Sequence, residues 1–340
     1  MLAEEKSDHG PTMGRRKSLS NGQRYTAVHG VAGVTNKKPN NLAASVRQRL
    51  MNIRKETGED FQYLLTRYGL ERLLYRLSKS PYRKQFILKG AVLFQLWTGE
   101  PHRPTRDLDL LGVGEPSTER FQKMFAEICQ VDVEADGLDF QPDTVQATQI
   151  KEEDEYQGIR ITLEAKLEKA KIPLQIDIGF GDAITPSAID IAYPALLEFP
   201  SASLKAYPRE TVVAEKFQAM VVLGIANSRM KDFFDIWTLA LRFDFDGSTV
   251  AQAIQATFAR RMTPLPSGMP LALTPEFSND RYKQLQWTAF ITRSKLHDAN
   301  AVLSDVVSVL DAFLMPPTNS LIAKNPFSKA WSAGGPWTDR

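Results

Sequence analysis

Two stretches of this chain place an apolar residue at every second position. In the first these are Ile159, Ile161, Leu163, Ala165 and Leu167; in the second, Ile172, Leu174, Ile176, Ile178 and Phe180. A period of two puts every apolar side chain on one face, so both stretches are strands of a sheet backed by a core. Upstream the period is helical. Leu42, Val46, Leu50 and Ile53 share one face, and a second helix runs from about Glu59 to Leu77, stopped by Ser80-Pro81. A short strand at Phe86–Leu88, a turn at Lys89-Gly90 and a helix over Ala91–Trp97 follow. Next come a strand at Arg106–Val113 and a helix opened by Pro116-Ser117. Lys151–Gly158 is a charged turn. After Pro200 helices return: Val212–Gly224 with Thr211 as N-cap, Lys231–Phe243, Pro275–Thr292 and Asp298–Leu314, with the proline-rich Thr263–Pro275 as a linker or long loop. The expected fold class is therefore α+β. Its expected parts are a disordered basic arm (1–41), N-terminal helices with a mixed-sheet core (42–200), a C-terminal helical domain (201–315) and a flexible tail (316–340) that starts at Pro316-Pro317. The arm is alternatively an over-long start, with Met13 as initiator.

The 340 residues carry 42 basic and 40 acidic side chains, a balance that argues against a histone-like protein held to nucleic acid by bulk charge. The near-neutral total conceals opposed blocks. Residues 1–85 hold 17 basic and 7 acidic groups, and residues 86–200 hold 10 and 21. One cysteine, Cys129, excludes an intrachain disulfide framework and fits a reducing compartment. No apolar run approaches the roughly 20 residues that span a bilayer, so the expectation is a cytoplasmic protein with no membrane partner. The histidines His9, His29, His102 and His297 are scattered, which argues against zinc. His102 reads as a loop residue, Cys129 as a buried, inert thiol. Phe217, Phe233, Phe234 and Trp237 read as core rather than as a stacking platform.

The sharpest chemistry lies in Arg106-Asp107-Leu108-Asp109-Leu110-Leu111. In a strand Asp107 and Asp109 point the same way while Leu108 and Leu110 enter the core. Two adjacent carboxylates repel unless a cation joins them, and hard oxygen ligands select Mg²⁺ or Mn²⁺. Asp177 lies inside the second alternating strand, where an unpaired carboxylate is costly. Three carboxylates on two strands can hold metal ions for phosphoryl or nucleotidyl transfer. Gly90 at a strand-to-helix turn lets backbone approach a phosphate. A second Asp-x-Asp, Asp244-Phe245-Asp246, lacks strand companions and reads as a polar turn.

These residues resemble the nucleotidyltransferase superfamily of DNA polymerase β type. More specifically they resemble the AbiEii/AbiGii toxin family, which includes the MenT toxins of type IV toxin–antitoxin systems. The resemblance covers about Leu42 to Leu241. It rests on Phe86-Ile87-Leu88-Lys89-Gly90-Ala91, Arg106–Leu110, Gln175–Asp182, Val213-Ala214-Glu215-Lys216-Phe217-Gln218-Ala219 and Arg229-Met230-Lys231-Asp232-Phe233-Phe234-Asp235. It implies a nucleotidyltransferase core that uses Mg²⁺ or Mn²⁺ and an NTP. Asp107, Asp109 and Asp177 are then the metal ligands, with Asp177 completing the cluster or acting as general base. Lys216 would neutralise nucleotide phosphates, or else be a solvated partner of Glu215. Gly90 and Ala91 would border the triphosphate, and Arg106 would steer it or merely balance charge. Of Asp232 and Asp235, which share a helical face, Asp235 is the better match to the family's active-site Asp. Ala91 departs from the family's usual Ser or Gly, which removes a hydroxyl at that turn. The implied acceptor is an RNA 3′ end, a tRNA, and the implied role is a growth-arresting toxin. Its antitoxin would act without a required stable complex. The alternatives are a small-molecule nucleotidyltransferase of antibiotic-modifying type and a non-catalytic nucleotide-binding protein. Residues 42–85 alone hold 10 basic against 4 acidic groups. This segment is expected to form an RNA-facing wall through Arg47, Arg49 and Arg54.

Overall fold

A computed structural model describes residues 41–99, 102–152, 156–296 and 301–340. The expected basic arm lies, up to residue 40, outside them. Residues 39–340 form one compact unit. It opens with α1 (Leu42–Thr57) and α2 (Phe61–Lys79). Asn41 and Asp60 cap these helices, their side chains accepting from the Ala44 and Tyr63 amides. There follow β1 (Phe86–Lys89), α3 (Val92–Thr98), β2 (Asp107–Gly112), α4 (Thr118–Cys129), β3 (Asp139–Glu152), β4 (Tyr156–Leu167), β5 (Ala170–Phe180), β6 (Ile189–Tyr193) and β7 (Ala202–Ala206). The rest is largely helical: α5 (Arg209–Leu223), α6 (Met230–Arg242), β8 (Phe245–Asp246), α7 (Gly247–Arg260), α8 (Pro275–Asn279), α9 (Arg281–Arg293) and α10 (Leu303–Ile322). Two short strands close it, β9 (Ala330–Trp331) and β10 (Trp337–Thr338).

The main sheet has seven strands in the order β3-β4-β5-β2-β1-β7-β6. β2 runs parallel to β5 and β1 to β7; the other pairs are antiparallel. The mixed α+β architecture is as expected. Leu108 and Leu110 of β2 pair with Ile176 and Ile178 of β5, and all four are buried on one face. α2 packs against β5. Gly69 permits the close approach, since a Cβ there would meet Leu174 Cδ2 at 2.9 Å.

Several boundaries differ from expectation, each for a local reason. The division at residue 200 falls inside the compact unit, because β7 pairs with β1 in the same sheet. β3 has no counterpart in the alternation pattern. It is an edge strand with Pro142 and a register shift between Gln141 and Gln146, so few of its side chains need be apolar. Of the charged turn expected over 151–158, strand takes up the part to Glu152 and from Tyr156, and residues 153–155 lie outside the described residues. Thr211 is not an N-cap. α5 starts at Arg209 after Pro208, and the Thr211 hydroxyl instead exchanges two 2.9 Å hydrogen bonds with the Thr185 backbone. The helix expected over Pro275–Thr292 is broken at Asp280, whose side chain caps α9 by accepting from the Lys283 amide at 2.9 Å.

The tail expected from Pro316 is an ordered part of the core. α10 continues through Pro316-Pro317 to Ile322. Proline at 317 removes the amide that would bind the Phe313 carbonyl, and Trp337 Nε1 donates to that carbonyl instead, at 3.0 Å. Trp331 Nε1 likewise donates to the Ala240 carbonyl at 2.7 Å, and Phe313 stacks on Trp337 at 5.6 Å. Asp246 caps α7 and Asp244 accepts from the Ala333 amide, so the second Asp-x-Asp is spent on local structure. Cys129 is buried, which pushes its thiol up to about 12.

Candidate active site

Register places four charged side chains in one row across the sheet. Lys89 pairs with Asp109, Asp109 with Asp177, and Asp177 with Arg160. Directly opposed residues share a face, so the row reads plus, minus, minus, plus on the face opposite the Leu and Ile core. Asp107 joins from two residues before Asp109. Oxygens of Asp107, Asp109 and Asp177 all lie within 4.8 Å of one another. Gly90 follows the row at φ +79°, a left-handed backbone that favours glycine. Its missing side chain is also where the Asp109 carboxylate sits: a Cβ would stand 2.7 Å from Asp109 Cγ. The glycine thus makes room for a carboxylate as well as for the turn.

Burial first, and then the neighbouring Asp107 charge, push Asp109 up to about 6. Arg160 grips Asp177 with a two-pronged bond, Nε to Oδ1 and Nη2 to Oδ2, both 2.8 Å. A hard divalent cation fits this donor set. It would meet three clustered oxygen donors and remove the repulsion that drives Asp109 toward protonation.

The row opens on a cavity of about 760 Å³ whose lining also includes Lys216, Arg229, Lys231 and Arg261. Lys216, from α5, is anchored by two α6 carboxylates: Nζ lies 2.6 Å from Asp232 Oδ1 and 2.9 Å from Asp235 Oδ2. Burial lowers the ammonium's pKa, but Asp232 and Asp235 outweigh it and hold the pKa above the usual lysine value. With two of its three donors held, the third is left for a cavity ligand. Asp235 is fully buried and does not line the cavity. It also accepts from Arg103 Nε and Nη2, at 2.8 and 2.9 Å, and from His102 Nε2 at 2.9 Å. Burial opposes its charge, yet Arg103 and Lys216 hold its carboxyl well below the ordinary range. His102 is packed between Phe94, 4.1 Å away and nearly coplanar, and Phe234 at 4.9 Å. Burial lowers its pKa, so the ring is neutral and gives its one N–H to Asp235.

On another wall, Asp182 accepts from Lys89 Nζ and the Tyr207 hydroxyl, each at 2.9 Å. Burial and the nearby Asp182 charge push Glu215 up to about 8, whereas burial of Asp182 is outweighed by Lys89 and Arg261, which keep it well below the usual range. The pair therefore shares one proton at neutral pH, carried by Glu215. The folded chain then binds one proton more than the unfolded chain between the ordinary glutamate value and about 8. Stability from this group is fully present at the acid end of that window and is lost as pH rises through it. Glu215→Gln keeps a donor that never ionises. Urea unfolding at about pH 6 and about pH 9 should show wild-type stability falling more steeply than the variant's. Equal slopes in both proteins would refute the shared proton.

The structure thus brings together Gly90, Ala91, Asp107, Asp109, Asp177, Lys216 and Asp232 around one cavity. It sets Asp235 behind Lys216. Exposed Arg106 lines a separate chamber of about 320 Å³ next to Asp107. His102 lies in a loop as expected, and it is also part of the Asp235 network. Sequence reading also passed over Lys89, Arg103, Arg160, Asp182, Glu215, Lys231 and Arg261 as site residues. For Arg160 a signal existed, since it occupies an outward position of an alternating strand. Phe217, Phe233 and Phe234 are buried core. Among the described residues, no helix is long and apolar enough to cross a membrane.

A carboxylate triad on adjacent strands, lining one cavity together with several cationic side chains, has the donor set that nucleotidyl transfer requires. The family model of the nucleotidyl transferase AbiEii toxin of type IV toxin–antitoxin systems matches residues 72–312, well over half of the chain, and the protein belongs to this family. It is accordingly a toxin-family nucleotidyltransferase with an NTP substrate and an antitoxin partner. Among solved structures, it is similar to a candidate nucleotidyltransferase from H. pylori at 15% identity and TM-score 0.45, covering 79% of this chain and 100% of that one. JHP933 from Helicobacter pylori is similar at 15% identity and TM-score 0.45, over 77% of this chain and 94% of its own. Comparison with curated proteins returns no match.

Proposed function

We propose that the protein transfers a nucleotide from an NTP to the 3′ end of an RNA, a tRNA, in an Mg²⁺- or Mn²⁺-dependent reaction. The observation that carries this reading is the carboxylate row sharing one cavity with Lys216. Asp107, Asp109 and Asp177 would hold the metal. Bound there, the cation supplies charge neutralisation at the transferred phosphate and at the attacking and leaving oxygens. Lys216, oriented by Asp232 and Asp235, holds the triphosphate as a point charge. The acceptor hydroxyl oxygen forms a bond to the α-phosphorus, the bond to the bridging oxygen of the β-phosphate breaks, and pyrophosphate leaves. The hydroxyl proton passes to a carboxylate oxygen of Asp177, where the Arg160 fork leaves lone pairs open. The antitoxin acts on transcription or on the product, without a required stable complex.

The test incubates the protein with each labelled NTP, Mg²⁺ and total RNA, beside Asp109→Ala and an EDTA control. Label in tRNA, lost in both controls, is the expected result. Label only in small molecules, or nowhere, overturns the proposal.

A further inference from the structure

Two chambers meet at the catalytic carboxylates. The larger, about 760 Å³, and the smaller, about 320 Å³, are both bounded by Ala91, Arg103, Asp107, Asp109 and Lys231. Only the larger reaches Lys216, Arg229 and Arg261, the cationic wall suited to a triphosphate. The smaller is completed by Pro104, Thr105, Arg106 and Gln175. In phosphoryl transfer the attacking and leaving oxygens stand roughly in line on opposite sides of phosphorus. A nucleotide whose pyrophosphate points to Lys216 is therefore attacked from the side away from Lys216, and the second chamber borders Asp107 and Asp109 without reaching Lys216.

The lining of that chamber defines what it can take. Arg106 and Lys231 are both exposed at its rim. Thr105 Oγ1 donates to Asp107 Oδ1, and Gln175 Nε2 donates to Asp177 Oδ2 at 3.3 Å, so polar side chains already aim at the carboxylates. No aromatic side chain lines it among the described residues, which leaves no platform for a base. The volume suits one sugar–phosphate unit.

We infer that this smaller chamber is the acceptor subsite, receiving the terminal ribose of an RNA with Arg106 on the adjoining phosphodiester. The inference rests on the RNA-acceptor reading above. It moves Arg106 from steering the triphosphate to holding the acceptor. Contacts to sugar and phosphate carry no sequence information, so this chamber positions the RNA end and any choice among RNAs is made elsewhere.

The experiment compares wild type, Arg106→Glu, Arg106→Lys and Lys216→Met, with total tRNA as acceptor and the NTP that wild type uses best. Nucleotide affinity is measured separately with the α,β-methylene analogue of that NTP. Arg106→Glu should raise the KM for tRNA at least tenfold and leave analogue affinity within twofold. Arg106→Lys should recover most of the loss, and Lys216→Met should show the reverse pattern, with analogue affinity lost. The slope of log KM for tRNA against log salt should fall by about one in Arg106→Glu, as for one lost phosphate contact. Analogue affinity falling in step with tRNA use would return Arg106 to the triphosphate and overturn the inference, as would an unchanged KM for tRNA. If wild type labels no RNA with any NTP, the RNA-acceptor reading itself falls, an outcome distinct from wild-type activity that Arg106 does not affect. Arg106 is exposed, and an unchanged melting temperature confirms that both Arg106 variants are folded, while a cooperative melt suffices for Lys216→Met, which removes a buried ion pair.

Discussion

Asp109→Asn is expected to abolish nucleotide transfer while raising the melting temperature of the metal-free protein. The two effects have one cause. Burial and the Asp107 charge push the Asp109 carboxyl up to about 6, so at neutral pH the fold holds an ionised group against its preference. A folded pKa raised above the unfolded value means stability is lost as pH rises through about 6. Asn occupies the same space beside Gly90 without that charge, so the metal-free variant should melt later than wild type at about pH 7. Transfer, however, needs the charge. A metal clamp stabilises the transition state by several kcal/mol, and each 1.36 kcal/mol is tenfold, so a drop of about a thousandfold or more is expected. Initial rates of label incorporation measure the first effect and thermal melts the second. Mg²⁺ should raise the melting temperature of wild type and leave Asp109→Asn unmoved, because a ligand stabilises only the state that binds it. Activity within tenfold of wild type would remove Asp109 from the metal site. A fall in melting temperature would show instead that its charge is already compensated within the fold.

What could be read from sequence was local. Asp107 and Asp109 announce themselves by a two-residue period inside an apolar strand, and Asp177 by being the one carboxylate in another. Lys216 and Asp235 stand out only through motif resemblance, which does not reveal their mutual contact. The unread parts depend on partners far away in sequence. Arg103 and His102 gain meaning only from Asp235, more than 130 positions on. Nothing near Pro316-Pro317 tells that a tryptophan twenty residues later replaces the lost amide. Charge counts misled for the same reason. Part of the basic excess in 42–85 is internal: Arg72 and Arg76 are buried, the latter 2.6 Å from Asp136. Arg47 pairs with Glu168 at 3.9 Å, and Arg49 lies over the Phe199 ring. Of the three arginines expected on an RNA-facing wall, two are thus partly engaged by the fold itself, and the acceptor contact proposed above rests on Arg106 instead.

Asp235→Ala tests how the α6 carboxylates act, and its first effect should be on stability. The side chain is completely buried and takes bonds from Arg103, His102 and Lys216. Its removal leaves the buried Arg103 guanidinium without its hydrogen-bonded carboxylate, with only the Asp232 and Asp109 charges still acting on it, and Lys216 with one anchor in place of two. Breaking a buried pair in this way costs roughly 3–5 kcal/mol. Urea unfolding should show that loss as a lower midpoint at an unchanged slope. The second effect separates a structural from a positioning role. In Arg103→Met/Asp235→Leu both charges of the fork are gone, and apolar replacement of a whole buried pair is often neutral or better, so most of the stability should return. Activity should not. Lys216 would still be held by Asp232 alone, free to swing about that contact, and the KM for NTP should stay raised in the stable double variant. Recovery of stability and KM together would reduce Asp235 to a structural partner of Arg103. Recovery of stability with KM still raised, and raised beyond that of Arg103→Met alone, would establish that Asp235 serves the reaction by aiming Lys216 from behind, without touching the nucleotide.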